Sequence, residues 1–225
     1  GSIWKADSVF QLSMEIYDTK ISKVLWSESW QKDWDDLASI KGNLAKNILK
    51  ALKVSTKQDF NKVPTSNTEA YEYYLKAKDL FITATTEKDI DKAIKLCYKA
   101  IDLDKDFMAL YQWLAWIYYN KHDYVNAFKY NTYYNELAIK FESFIDVAWS
   151  YIYLGDVIYF KDNNVEESKR LYNLALKIFN IHDHTFGIST IYYNLAYLAW
   201  KEDFNLDKAN DYYNKTIKLD KKISF

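Results

Sequence analysis

Residues 151–175 read YIYLGDVIYFKDNNVEESKRLYNLA, and this stretch decides the fold. It holds Tyr151-x2-Leu154-Gly155-x2-Ile158, then Ser168-x3-Tyr172-x2-Ala175. The same order of large, small and aromatic positions returns as Tyr192-x2-Leu195-Ala196-x2-Ala199 with Ala209-x3-Tyr213-x2-Thr216. It occurs earlier as Tyr111-x2-Leu114-Ala115-x2-Tyr118 followed by Ala127, where Asn131 and Tyr134 depart from the second half of the pattern. Earliest is Ala93-x3-Cys97-x2-Ala100, behind a helix around Tyr71 to Ala84 in which Ala77 takes the small position. Small residues at 77, 115, 155 and 196 would let the first helix of each pair approach the second, with aromatic rings filling the space between pairs.

Composition agrees with helices joined by short polar connections. The chain has 225 residues, 49% hydrophobic and 18% aromatic, which excludes intrinsic disorder. Four glycines and one proline leave few breakers. Net charge is −1, and of 30 basic residues all but Arg170 are lysine. A basic excess and guanidinium forks are therefore missing, and nucleic acid is not an expected partner. No apolar run of about 18 residues is present to span a bilayer, and no secretory signal is visible. Gly1-Ser2 looks like a cloning scar, so a signal or anchor upstream is compatible with the reading. The lysine, asparagine, isoleucine and tyrosine bias points to an AT-rich bacterial genome.

The recurring pattern resembles the tetratricopeptide repeat, a helix pair of roughly 34 residues. The resemblance implies a mainly α fold: a right-handed α-solenoid of about four helix pairs over residues 68–225. Two departures stand out. Asp102-Leu103-Asp104-Lys105 and Lys218-Leu219-Asp220-Lys221 lack the proline that usually ends the family's second helix. Ala115, Gly155 and Ala196 are about 40 residues apart, so helices are longer or loops carry insertions.

Ahead of the repeats, residues 9–17 alternate, with Phe10, Leu12, Met14 and Ile16 on one face and Gln11, Ser13 and Glu15 on the other. Period two predicts a strand. Asp18-Thr19-Lys20 reads as a turn, and alternation resumes through Val24 and Trp26 to form a hairpin. From Asp35 the period changes, and Leu37, Ile40, Leu44, Ile48 and Leu52 form one helical face. Residues 54–67 read as a linker, in which Pro64 and Thr65, Ser66, Asn67 and Thr68 supply a break and a helix cap. In LWSESWQKDW, residues 25–34, Trp26 is expected to close the strand, Trp30 to lie in the connection and Trp34 to enter the helix.

Residues 9–80 resemble the end of a bacterial TolB-like amino-terminal domain, a strand hairpin and helix leading into tetratricopeptide repeats. Trp30 and Trp34 stand where that family tends to have tyrosine and leucine, and Lys41-Gly42 where it tends to have glutamine and an acid. Such cassettes commonly follow an adenylate cyclase or winged-helix DNA-binding domain. The resemblance assigns residues 1–53 to the tail of that domain, with its upstream strands and helices missing. A hairpin without those partners is expected to pair with a second copy or dock on the repeats.

Chemistry is sparse. The glycines at 1, 42, 155 and 187 build no phosphate loop. Cys97 holds a core position, so a buried thiol is expected. His182-Asp183-His184 reads as a solvated turn, because two histidines two apart do not share a helical face. No catalytic constellation, cofactor or metal site is expected.

In tetratricopeptide arrays the first helix of each pair lines a concave groove. Carried over, the second repeat supplies Gln112, Trp116, Tyr119 and Asn120; the third supplies Trp149, Ile152, Asp156, Tyr159 and Phe160. The fourth supplies Tyr193, Tyr197, Trp200 and Lys201, and the first offers Tyr74, Lys78 and Phe81. Aromatics replace the lysine and asparagine of carboxylate-clamping members. Two readings stand: rings exposed to a protein or peptide partner, which suits tyrosine and tryptophan, or rings packed between long helices. The expected function is a non-catalytic protein–protein interaction scaffold within a larger bacterial signalling protein. The alternative is a small-molecule-sensing module that regulates an upstream cyclase or DNA-binding domain. The expected site is cytoplasmic, or periplasmic if a missing upstream part carries a signal or anchor.

Overall fold

The computed structural model describes residues 2–6, 9–33, 44, 46–50, 52 and 64–223. It is mainly helical, with an antiparallel sheet at the amino-terminal end. Two compact units are present, Gly1–Phe107 and Met108–Phe225.

In the first unit, β1 (Ser2–Ala6), β2 (Val9–Asp18) and β3 (Lys23–Asp33) pair antiparallel in the order β1-β2-β3. The sequence pattern anticipates β2 and the start of β3, but not β1 or the length of β3. Trp30 accordingly lies within a strand, not in a connection. Leu12 faces Trp30 and Ile16 faces Trp26 across the β2–β3 ladder. Directly opposed residues share a face, so both tryptophans join the Phe10, Leu12, Met14, Ile16 side. Their ring centroids are 5.8 Å apart. Spacing of four is two periods of a strand, which accounts for the repetition of Trp26 and Trp30; Trp34 lies outside the described residues. Between them Glu28 accepts a 2.7 Å hydrogen bond from Asn47 Nδ2. Much of the helix expected from residue 35 also lies outside the described residues, although Lys46–Lys50 is helical and the Leu52 N–H donates to the Ile48 carbonyl at 2.9 Å.

Asn67 caps α1 (Thr68–Ile82) by accepting from the Ala70 N–H, and Thr86 caps α2 (Glu87–Leu103). Ala77 of α1 and Ala93, Cys97 and Ala100 of α2 are buried where the two helices pack. The second unit contains α3 (Met108–Asn120), α4 (Tyr124–Lys140), α5 (Phe144–Asp162), α6 (Val165–Ile181), α7 (Thr185–Lys201) and α8 (Leu206–Ile223). Pairs α3–α4, α5–α6 and α7–α8 pack closely. Tyr118 stacks on Tyr130 at 5.4 Å in the first of these pairs, and Tyr192 on Tyr212 at 5.9 Å in the last.

Without proline or glycine, the turns use another device. His122, Glu142, Asn163, Asp183 and Phe204 all have φ between 49° and 58°, and each is followed at once by the residue before the next helix. Three turns make the paired backbone hydrogen bonds of a left-handed helix end, such as Asp123 N–H to Tyr118 O and His122 N–H to Tyr119 O, both 3.0 Å. Asp123, Asn164 and His184 then cap α4, α6 and α7 through their side chains. The carboxyl-terminal pattern behaves differently, since α8 runs through Lys218-Leu219-Asp220-Lys221 to Ile223.

The core around α5, α6 and α7 contains Ala148, Ile152, Tyr172, Ala175, Phe179, Ile191, Leu195 and Leu198. Small positions earn their place by geometry. A Cβ on Gly155 would lie 2.7 Å from Tyr172 Cε1, and one on Gly187 would lie 2.4 Å from Phe179 Cε2. Asn131 and Tyr134, the departures from pattern in α4, are buried at the equivalent positions, and the Tyr134 hydroxyl donates to Asp146 at 2.9 Å. Among the described residues, no helix is long and apolar enough to cross a membrane.

Candidate functional site

The second unit forms a cavity of about 240 Å³ lined by Tyr119, Asp156, Tyr159, Phe160, Tyr172, Tyr193, Asn194, Tyr197 and Leu198. Helices α3, α5 and α7 supply eight of these nine side chains, and α6 supplies Tyr172. One turn of α5 sets Asp156, Tyr159 and Phe160 on the cavity side, while the i, i+4 pair Tyr193 and Tyr197 projects from α7.

Asp156 is the chemical centre. Its Oδ1 accepts from the Tyr172 hydroxyl at 2.5 Å and from Asn194 Nδ2 at 3.0 Å. The Tyr172 ring reaches this carboxylate by crossing the face of α5 where Gly155 has no Cβ. Burial pushes the Asp156 carboxyl up to about 7, with the Tyr172 hydrogen bond acting in the opposite direction. Tyr119 and Tyr172 are also raised, first by burial and then by the nearby Asp156 charge, so their hydroxyls stay protonated near neutrality. Tyr159 is raised by burial and by its 2.5 Å hydrogen bond to Glu202 Oε1.

The walls are rings in crossed orientations. Tyr159 meets Phe160 edge-on at 4.9 Å and Tyr197 edge-on at 6.0 Å, and Tyr119 meets Phe160 edge-on at 5.8 Å. Tyr124 stacks on the outer side of Phe160 at 5.9 Å. At the rim Tyr193 is 55% exposed, and Trp200, 51% exposed, packs on Tyr197 at a centroid distance of 6.1 Å. This arrangement can hold an apolar stem between rings and offer a carboxylate to its head.

Six of the residues expected to line a groove, Tyr119, Asp156, Tyr159, Phe160, Tyr193 and Tyr197, meet in this cavity. Others do not. Ile152 is in the core, and Trp149 packs against Phe179 at 5.2 Å and His184 at 5.8 Å. Gln112 Nε2 donates to the Tyr153 hydroxyl at 3.4 Å. Trp116 is exposed but leans on Trp113 at 4.9 Å, and Asn120 donates to the Trp116 carbonyl at 2.7 Å. Lys201 is exposed. Tyr74, Lys78 and Phe81 lie on α1 of the first unit, where Tyr74 packs on Phe107 at 5.1 Å.

Tyr172, Asn194 and Leu198 were not anticipated. The repeat pattern marks the Tyr172 ring as core and says nothing of where its hydroxyl ends. His184 is not simply solvated: its Nδ1 accepts from the Gly187 N–H at 3.0 Å and its ring stacks on Phe179 at 4.7 Å. Among the described residues, no cluster of three metal-ligating side chains is found. Cys97 is buried, and burial pushes its thiol up to about 12.

Compared with known protein families and curated proteins, the chain matches no family model and no curated protein.

Proposed function

We propose that this chain is a non-catalytic interaction module: an α-solenoid of tetratricopeptide type, preceded by a hairpin and helix that resemble the end of a TolB-like domain. A protein or peptide partner is held in the aromatic groove of the second unit, within a larger bacterial signalling protein. The observation that supports this reading most is the meeting of six expected groove residues around one cavity with exposed rings at its rim. Repeated helix hairpins with buried small residues at 115, 155 and 196 support the solenoid part. Large aromatic side chains anchor interfaces because they bury much area for little lost side-chain entropy.

A displayed peptide library selected on the full chain tests the reading. Peptides enriched on the wild type should lose at least about tenfold in affinity for Tyr193→Ala plus Trp200→Ala. A double variant that keeps its denaturation midpoint and binds as tightly as wild type overturns the groove.

A further inference from the structure

The cavity has an electrostatic property that the interaction reading does not require. Asp156 Oδ1 accepts from both Tyr172 and Asn194, and among the described residues no donor is seen on Oδ2 and no cation pairs with the carboxylate. The lining contains no lysine, arginine or histidine. The nearby Glu202 carboxylate accepts from the Tyr159 hydroxyl. We infer that this cavity binds a primary alkylammonium group, with a lysine side chain of the partner as its source, the ammonium on Asp156 Oδ2 and the methylene stem between the tyrosine rings. This rests on the interaction role proposed above.

Three features select that chemistry. Aromatic faces attract cations and accommodate methylene groups. A vacant acceptor on a buried carboxylate calls for N–H donors, which a quaternary ammonium lacks. A hard metal ion would need several oxygen ligands where the walls present rings. The volume, about 240 Å³, suits one side chain more than a drug-sized ligand.

A cation beside Asp156 favours its ionised form, so affinity should rise as pH passes through the carboxyl value near 7. Other titratable groups facing the site are Tyr119 on α3, Tyr159 with Glu202, Tyr172 on α6, and Tyr193 and Tyr197 on α7. His122 sits further out, bonded to the Tyr124 hydroxyl at 2.9 Å.

The test is an NMR titration of the full chain at constant ionic strength. The probes are n-butylammonium chloride, n-butanol and the capped peptide acetyl-Gly-Lys-Gly-amide. Expected are saturable shifts of the Asn194 side-chain amide and the Tyr197 ring with the ammonium and the peptide, and binding by butanol at least about tenfold weaker. Asp156→Asn should weaken ammonium binding at least about tenfold, and the wild type alone should bind tighter at about pH 8 than at about pH 6. Equal binding of butanol, full affinity in Asp156→Asn, or pH-independent affinity overturns the ammonium site. Those results leave the groove to the separate peptide-affinity test. Binding of butylammonium with exclusion of the peptide supports the ammonium site and overturns the lysine source in favour of a free amine.

Discussion

Gly155→Ala is the sharpest test of how the helices and the cavity are joined. In an exposed helix this change stabilises by about 0.5–1 kcal/mol, because alanine loses less backbone entropy. Here the new Cβ would sit 2.7 Å from Cε1 and 3.1 Å from Cδ1 of Tyr172. That ring is buried, so it cannot swing into solvent to relieve the contact. Overpacking of this kind costs about 1–3 kcal/mol. Displacing the ring also endangers the Tyr172–Asp156 hydrogen bond, and bonds to charged groups contribute about 1.5–3 kcal/mol. The net expectation is destabilisation by about 1–3 kcal/mol, read as a lower urea midpoint with an unchanged denaturant slope. The control is the same change in a Tyr172→Ala background, where the ring is gone and Gly155→Ala should stabilise by about 0.5–1 kcal/mol. Stabilisation in both backgrounds would refute the close approach of α5 and α6.

Further expectations concern protonation, turns, the thiol and the sheet. Asp156 has its folded value raised from 3.8 to about 7, so the folded state holds the extra proton between those values. Stability should fall as pH rises across that interval by about 2–4 kcal/mol and level off above it, while Asp156→Asn flattens the profile; urea titrations at several pH values check this. Phe204 is 85% exposed at φ 51°, a left-handed conformation that suits glycine, so Phe204→Gly should stabilise the fold by about 0.5–1 kcal/mol, read as a higher urea midpoint. Cys97 should react with a thiol reagent at the rate of unfolding; fast labelling of the folded chain would contradict its burial. Among the described residues the edge strands of the sheet are β1 and β3, and concentration-dependent association in equilibrium sedimentation is expected through them. A monomer at every concentration removes that role.

The helix pairs were legible because small residues at 115, 155 and 196 and the aromatic positions beside them repeat at a fixed spacing. Their turns were not, because His122, Glu142, Asn163, Asp183 and Phe204 share a backbone conformation but no side-chain type. Glycine, the usual signal for φ near 50°, is replaced by five different contexts. Trp30 was misplaced because polar residues between Trp26 and Trp30 imitate a loop, when they are the solvent side of a strand and the partner of Asn47. At the cavity, residues on first helices could be carried over from the pattern. Asn194 and Leu198 could be found only from the rotation of α7 against α5, and the Tyr172 hydroxyl only from the missing Cβ at Gly155.

The central claim is that binding takes place on the cavity side of the second unit. Site-specific photocrosslinking of a library-selected peptide tests it most directly, with benzoylphenylalanine placed at Tyr193, on the cavity rim, or at Phe128, exposed on α4. The account predicts a crosslinked adduct from position 193 and none from position 128. An adduct from position 128 with none from position 193 would contradict it.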